Sequence, residues 1–192
     1  MALNANILLG VSGGVAAYKA VDLASKLTGA GASVKTVMTA NACQLVAPKS
    51  FEAVTSGPVY TDLWSASQDH DVEHVSVATW ADLVVVAPAT ANILAKIAGG
   101  ICDDLLSTIL CVCWQRPVLL APAMNTRMWA NPIVQRNVRT LIELGLRTIG
   151  PESGRLACGD VGPGRMAEPS EIVEAITDLI TQLRLKDSDR MA

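Results

Sequence analysis

Short apolar runs alternate with segments of helical periodicity along most of the chain. The first run, residues 6–11, is followed by a glycine turn at residues 12–14 and then by apolar positions at helical spacing up to Leu27. Glycines end this predicted helix, and residues 33–38 form a second strand that completes a β-α-β unit. Because such a unit sets its two strands in the same direction, the pattern predicts a parallel sheet.

The same alternation continues through the second half of the chain. Residues 82–87 and 117–121 are each predicted as a buried strand ending at a proline, and residues 91–110 supply the helices between them. Residues 147–149 form a weaker fifth strand, and a closing helix begins at Ser170. The sequence therefore predicts an α/β fold, a Rossmann- or flavodoxin-like three-layer α/β/α sandwich with a parallel sheet.

A single domain is expected over residues 1–185. The charged tail at residues 186–192 is expected to be a disordered end or a truncated linker, which leaves open whether the chain is free-standing or part of a longer protein. Residues 151–169 are rich in glycine and proline and have little periodicity. This segment is predicted to be a long functional loop at one end of the sheet.

Composition narrows the class of protein. The 192 residues are 51% hydrophobic and 17% charged, which excludes disorder and allows a large core. The net charge is −3 and no basic block is present, which argues against a nucleic-acid partner. Polar residues and glycines interrupt the uncharged first eighteen residues, so neither a signal peptide nor a membrane span is expected.

The cysteines point to a reducing environment. There are five of them, an odd number without disulfide-rich spacing, so a cytoplasmic protein is expected. Cys111 and Cys113 lie in an apolar run and are predicted to be buried small hydrophobic residues. Cys158 differs because it lies in the glycine-rich loop, where it is either an exposed reactive thiol or an incidental surface cysteine.

The turn after the first strand, Gly10-Val-Ser-Gly-Gly14, is a candidate phosphate site. It precedes a helix N-terminus, where free N–H groups and the helix dipole favour an anion. It is neither a dinucleotide fingerprint, because Ser12 replaces the second glycine, nor a P-loop, because it lacks the Gly-Lys pair. A mononucleotide such as FMN fits better than NAD, although a purely structural turn remains an alternative.

Two segments follow predicted strands with a proline and a polar amide, at residues 87–92 and 121–125. In open α/β sheets, ligands bind at the carboxyl ends of strands. The alternative is that Thr90 and Asn125 only cap the following helices. His74 lies in a short predicted helix before the next strand and could be structural. With His70 it does not form the His-Glu-x-x-His pattern, so no metal site is expected.

Five segments together resemble the flavin-containing cysteine decarboxylases over residues 5–182. They are Gly10-Val-Ser-Gly-Gly-Val-Ala-Ala-Tyr-Lys19, His74 before Trp80-Ala-Asp82, Ala87-Pro-Ala-Thr-Ala-Asn92, Pro122-Ala-Met-Asn-Thr-Arg-Met-Trp129 and Leu156-Ala-Cys-Gly-Asp160. The sequence is most similar to the members that decarboxylate 4′-phosphopantothenoylcysteine to 4′-phosphopantetheine in coenzyme A biosynthesis. The combination of Pro-Ala-Met-Asn with Ala-Cys-Gly-Asp makes the resemblance specific.

The resemblance implies FMN as the cofactor. Its phosphate and ring would lie near Ser12, Gly13, Gly14, Val15, Thr39, Thr90, Ala91, Asn92, Ile93 and Ala123. In this family the flavin oxidises the terminal cysteine of the substrate to a thioaldehyde, and carbon dioxide then leaves to give an ene-thiol. The reduced flavin returns its hydride, so that the net reaction is a decarboxylation without redox change.

The resemblance also implies residue roles. His74 would handle a proton in the oxidative half-reaction, Asn125 would hold the substrate carboxylate, and Cys158 would protonate the ene-thiol. The remaining predicted substrate contacts lie in a closing flap, at Arg155, Leu156 and Ala157. A neutral amide suits this task because it stabilises the carboxylate less strongly than an arginine would, which makes decarboxylation easier.

Partners and alternatives follow from the same resemblance. Family members are homotrimers, often assembled into dodecamers, with the flavin at a subunit interface, and many bacterial members are fused to a phosphopantothenate–cysteine ligase domain. Peptidyl-cysteine decarboxylases, which stop at the ene-thiol, lack the cysteine of Ala-Cys-Gly-Asp. Flavin prenyltransferases lack Pro-Ala-Met-Asn. A non-catalytic flavin-binding regulatory subunit and a flavodoxin-like electron carrier are the remaining alternatives.

Overall fold

The computed structural model describes residues 2–64, 73–157 and 159–191, and the side chains of these residues except 73–74 and 186–191. Eight strands are found in this part of the chain: β1 (Asn6–Val11), β2 (Ser33–Met38), β3 (Val59–Tyr60), β4 (Leu83–Ala89), β5 (Val118–Pro122), β6 (Arg147–Thr148), β7 (Glu152–Arg155) and β8 (Val161–Arg165). The first six strands form one parallel sheet in the order β3-β2-β1-β4-β5-β6.

Helices cover both faces of this sheet. The α-helices in the described residues are α1 (Ala17–Gly29), α2 (Ala40–Cys43), α3 (Pro48–Thr55), α4 (Glu73–Trp80), α5 (Ala91–Gly99), α6 (Leu105–Val112), α7 (Thr126–Trp129), α8 (Pro132–Glu143) and α9 (Pro169–Met191). One core packs α1, α3 and α9 against the sheet, and the other packs α4, α5, α6 and α8 against the opposite face. The predicted three-layer α/β/α sandwich is confirmed.

The order of the strands places a crevice between β1 and β4. The chain runs from β1 outward through β2 to β3, and then crosses to the other side of β1 to begin β4. The crossovers leave β1 and β4 in opposite directions across the sheet, so their carboxyl ends open a crevice where ligands of α/β sheets bind. Both strands are almost entirely buried and apolar, which fixes the position of this edge.

The glycine-rich segment differs from the predicted loop. Most of residues 151–169 form an antiparallel hairpin, β7–β8. The hairpin is tied down at its base by an ion pair of 2.8 Å between Arg165 and Glu152, and the Met124 N–H donates to the Gly164 carbonyl over 2.9 Å. Gly164 has a φ of +147°, and a Cβ there would collide with the Met124 carbonyl oxygen. The hairpin could not be predicted from the sequence, because its glycines leave no alternating pattern of apolar and polar side chains.

Two further features of the fold were not predicted. The strand β3 was missed, because a two-residue, half-buried edge strand carries almost no periodicity. The helix α9 extends to Met191, and no glycine or proline occurs between Ser170 and Met191 to end it earlier. None of the helices described is both long and apolar enough to cross a bilayer.

Candidate functional site

A cavity of about 900 Å³ lies at the carboxyl ends of β1, β4 and β5. Its volume is in the range of small-molecule and cofactor sites. The hairpin β7–β8 and the start of α9 form its remaining wall. The lining residues are Gly13, Gly14, Val15, Ala16, Tyr18, Lys19, Asp22, Leu45, Thr90, Ala91, Asn92, Ala123, Met124, Asn125, Met128, Arg155, Leu156, Ala157, Gly164, Arg165, Met166, Glu168 and Pro169.

The beginning of α1 forms the anion-binding side of the cavity. Ala16 is at the N-cap and offers no side-chain acceptor to the first turn. In the described part of the chain, the N–H groups of Gly13, Val15 and Ala16 have no protein acceptor. A Cβ on Gly13 would collide with the side chain of Asn41, so only glycine allows this compact turn. Free N–H groups at the positive end of a helix are a suitable phosphate site.

Ser12 lies beneath this turn and joins two strands. Its side chain is buried, and its hydroxyl donates to the Pro88 carbonyl over 2.7 Å. The Thr90 N–H donates to the same oxygen over 3.1 Å, and the Thr90 hydroxyl is 3.0 Å away. The Ser12 hydroxyl is therefore engaged in holding the ends of β1 and β4 together, and it does not line the cavity.

Two other predicted cofactor residues lie outside the cavity walls. Thr39 caps α2, because its hydroxyl oxygen accepts from the Ala42 N–H over 3.2 Å. Ile93 is buried in the core formed by α4, α5, α6 and α8. The other predicted cofactor residues, Gly13, Gly14, Val15, Thr90, Ala91, Asn92 and Ala123, all line the cavity.

Thr90 and Asn125 both cap helices and face the cavity. The Thr90 hydroxyl oxygen accepts from the Ile93 N–H at 3.5 Å, and the Asn125 amide oxygen accepts from the Arg127 N–H at 2.8 Å. Capping by its oxygen fixes the orientation of the Asn125 amide, and its NH₂ group donates to the Asp160 carboxylate over 3.2 Å. The capping and ligand-binding interpretations are thus compatible, because each cap leaves the residue on the cavity wall.

The hairpin brings the predicted flap residues to the cavity. Arg155, Leu156 and Ala157 line it, at the end of β7. The connection is a tight turn, in which the Leu156 N–H donates to the Asp160 carbonyl over 2.8 Å and the Gly159 N–H donates to the Leu156 carbonyl over 2.9 Å. Cys158, the predicted proton donor, lies outside the described residues.

His74 lies in the predicted short helix, α4, whose existence is confirmed. The side chain of His74 is outside the described part of the structure, as is all of His70. None of the described residues of α4 lines the cavity. The role of His74 therefore stays a prediction.

An ion-pair network was missed by the sequence analysis. Lys19, in the first turn of α1, is almost buried and donates to Glu168 over 2.9 Å and to the Met166 carbonyl over 3.3 Å. Arg165 pairs with Glu168 at 3.2 Å and with Glu152 at 2.8 Å. The hydrogen bond from Arg165 lowers the pKa of Glu152. Partners almost 150 positions apart leave no local signal in a sequence.

Comparison with known proteins shows which protein family the chain resembles. The family described as Flavoprotein matches residues 1–181. The coenzyme A biosynthesis bifunctional protein CoaBC of Bacillus subtilis (strain 168) is 49% identical over 171 residues, covering 89% of this chain and 42% of that protein. The chain thus spans about two fifths of the length of the curated relatives it matches.

Solved structures share the whole fold. A mutant PPC decarboxylase complexed with pantothenoylaminoethenethiol has a TM-score of 0.83 at 39% identity, covering 96% of this chain and 99% of that chain. The FMN-dependent cysteine decarboxylase SpaF has a TM-score of 0.82 at 34% identity, covering 94% and 99%. These matches confirm the resemblance to flavin-containing cysteine decarboxylases. The chain belongs to the Flavoprotein family.

Proposed function

We propose that this chain is the FMN-dependent enzyme that decarboxylates 4′-phosphopantothenoylcysteine to 4′-phosphopantetheine in coenzyme A biosynthesis. The observation that carries this proposal is the meeting of three features in one cavity: the unpaired N–H groups at the start of α1, the oriented Asn125 amide and the hairpin residues 155–157. The similarity to CoaBC and to PPC decarboxylase supports the choice of substrate.

The cavity suits FMN on physical grounds. Gly13, Val15 and Ala16 would bind the phosphate through their N–H groups at the start of α1. Apolar side chains of Leu45 and Met128 offer walls for an aromatic ring. FMN fits better than NAD because the second strand ends at Met38-Thr39 without a carboxylate for a ribose. When bound, the flavin supplies a reversible hydride acceptor, which permits a decarboxylation with no external electron donor.

Asn125 is assigned to the substrate carboxylate. The cap on α7 holds its amide oxygen, which leaves the NH₂ group to donate to a carboxylate, as it does to Asp160. A neutral donor orients the carboxylate without stabilising its charge as strongly as a cation would, so that loss of carbon dioxide is hindered less. Arg155 offers a positive charge on the hairpin for the phosphorylated substrate, and Leu156 and Ala157 line the same wall of the cavity.

Two roles rest on motif similarity. His74 is assigned to proton transfer in the oxidative half-reaction, and Cys158 to protonation of the ene-thiol. Cys158 separates this chain from peptidyl-cysteine decarboxylases, which release an oxidised ene-thiol. We therefore expect Cys158→Ser to retain flavin and to accumulate that ene-thiol; normal product from this variant would refute the assignment.

The carboxylate assignment is tested by Asn125→Asp. Aspartate also caps helices, so α7 is retained, but a negative charge there faces both Asp160 and the substrate carboxylate. Decarboxylation should fall ~100-fold or more, because juxtaposed like charges cost several kcal/mol. Flavin binding, read from absorbance, should remain. The matched control is Asn131→Asp, the same change at the cap of α8. Equal activity in both variants would refute the assignment.

The exposed rim of the cavity supports the proposal that several copies of the chain assemble. Val15 and Tyr18 are each 63% exposed and Leu45 is 52% exposed, although all three line the cavity. Apolar side chains beside a ligand site favour coverage by a second copy, as in a homotrimer or dodecamer with the flavin at the interface. A phosphopantothenate–cysteine ligase, as a fused domain or a separate protein, would supply the substrate. The free cysteines support work in a reducing, cytoplasmic environment.

A further inference from the structure

The hairpin β7–β8 brings a carboxylate to the Asn125 amide. Asp160 directly precedes β8, and its carboxylate accepts a hydrogen bond of 3.2 Å from the Asn125 NH₂ group. The two residues lie on different elements, because Asn125 caps α7 whereas Asp160 belongs to the hairpin. The function proposed above assigns Asn125 to the substrate carboxylate. Asp160 therefore presents the same chemical group to the same donor.

Both partners of this hydrogen bond are held by backbone contacts. The Asn125 amide oxygen accepts from the Arg127 N–H at 2.8 Å, which turns the NH₂ group toward the hairpin. The Asp160 carbonyl accepts from the Leu156 N–H at 2.8 Å, which fixes the chain where it enters β8. The contact thus joins two ordered segments of the cavity wall.

The backbone of β8 lies directly against the start of α7. A Cβ on Gly162 would come within 2.9 Å of the Thr126 side chain, and a Cβ on Gly164 would collide with the Met124 carbonyl oxygen. The two glycines therefore permit a close approach that a side chain would prevent. This approach sets Asp160, two residues before Gly162, within reach of the amide.

The charge of Asp160 is not neutralised by a protein cation. No lysine or arginine in the described ranges forms an ion pair with Asp160. Asp160 is also exposed, so water can solvate its carboxylate when the hydrogen bond to Asn125 breaks. A second carboxylate that approaches the Asn125 NH₂ group meets the negative charge of Asp160, and like charges repel. Asp160 is thus both a competitor for the amide and one that can leave it.

We propose, on the basis of the function proposed above, that Asp160 holds the place of the substrate carboxylate on Asn125 before the substrate binds and again after carbon dioxide has left. The substrate carboxylate displaces Asp160 from the amide. Substrate binding is weakened by the loss of the Asp160 hydrogen bond, and loss of carbon dioxide is favoured by its return. Binding energy is in this way not spent on the carboxylate that the reaction must remove.

The test compares two ligands that differ by one carboxylate. In 4′-phosphopantothenoylserine a hydroxyl replaces the reactive thiol of the substrate, and 4′-phosphopantothenoylethanolamine lacks the carboxylate as well. Binding of each ligand to the FMN-loaded protein is measured by titration calorimetry, and the flavin absorbance reports whether either ligand is oxidised. Both ligands carry the phosphate, so an effect of protein charge on the phosphate cancels between them.

Asp160→Asn should change the binding of one ligand only. Asparagine still accepts from the Asn125 NH₂ group, but a neutral hydrogen bond is weaker than one to a carboxylate. The Kd of the serine ligand should therefore fall ~3–10-fold, and the Kd of the ethanolamine ligand should not change. The matched control is Asp178→Asn, which removes the same charge from an exposed position of α9 and should change neither Kd.

Each other outcome has a distinct meaning. Equal weakening of both ligands in Asp160→Asn would show that Asp160 only anchors the hairpin, and an unchanged or weaker binding of the serine ligand alone would exclude competition. Either result would overturn the proposal for Asp160 and leave the proposed function intact. Failure of both ligands to bind the wild type would instead refute the proposed function, and the role of Asp160 with it.

Discussion

Replacing Ser12 with alanine tests the idea that its hydroxyl joins two strands instead of binding a ligand. The hydroxyl donates to the Pro88 carbonyl at 2.7 Å and accepts from the Thr90 N–H at 3.1 Å. Alanine fills almost the same volume but leaves both backbone groups without this partner in a buried environment. The loss is therefore one of hydrogen bonding, with little change in packing.

The expected cost follows from two orphaned polar groups. Each unsatisfied buried group costs ~1–3 kcal/mol, so the loss of two partners should lower the free energy of unfolding by about 2–6 kcal/mol. For a chain of this size, that corresponds to a decrease of roughly 4–24 °C in the thermal midpoint. Urea and thermal unfolding of the flavin-free protein, followed by far-UV circular dichroism, measure the change.

The matched control is Ser33→Ala, because Ser33 is exposed at the start of β2. It should change the free energy of unfolding by less than ~0.5 kcal/mol. If Ser12→Ala destabilised the protein no more than this control, yet weakened flavin binding, the hydroxyl would be a ligand contact and the structural account would fail.

Three further predictions concern the turn, the rim and the acid response. Gly13→Ala should weaken FMN binding ~10-fold or more in a fluorescence titration, because the added Cβ collides with Asn41 of α2 and shifts the turn. Unchanged affinity would contradict the phosphate site proposed at the start of α1. If the proposed homo-oligomer covers the rim of the cavity, Tyr18→Arg should lower the mass measured by light scattering, whereas Leu144→Arg, also at an exposed apolar position, should not. An unchanged mass for Tyr18→Arg would contradict an interface at this rim. Although burial opposes it, the hydrogen bonds from Lys96 and Ser107 lower the pKa of Asp104. Its contribution to stability is therefore present above about pH 4 and lost as the pH falls through the lowered pKa. Asp104→Asn, which still caps α6, should be less stable than the wild type at pH 7 in urea unfolding, and the difference should shrink as the pH is lowered below about 4. A difference that does not change with pH would contradict this.

The sequence predicted those features that depend on local periodicity. The apolar runs that become β1, β4 and β5 are continuous and buried, so their pattern is unambiguous, and the turn before α1 carries its own glycine signal. The position of the site followed from topology, because polar residues after two such strands meet at one edge of the sheet.

Other features depend on contacts between distant segments. The hairpin β7–β8 is specified by Arg165 with Glu152 and by the contact of Gly164 with Met124, which no local pattern encodes. The pairing of Lys19 with Glu168 has the same origin. Cys111 is exposed, so the prediction that it is buried is wrong, whereas Cys113 is buried as predicted. The difference depends on which side of α6 meets the core, and an almost wholly apolar helix does not reveal that side.

The most direct test of the proposed function is the mass of the product after the FMN-loaded protein is incubated with 4′-phosphopantothenoylcysteine. The account predicts that the substrate loses carbon dioxide alone. An unchanged mass would contradict the proposed substrate, and a loss of carbon dioxide together with two hydrogens would contradict the complete reaction, because it would leave the oxidised ene-thiol as the product.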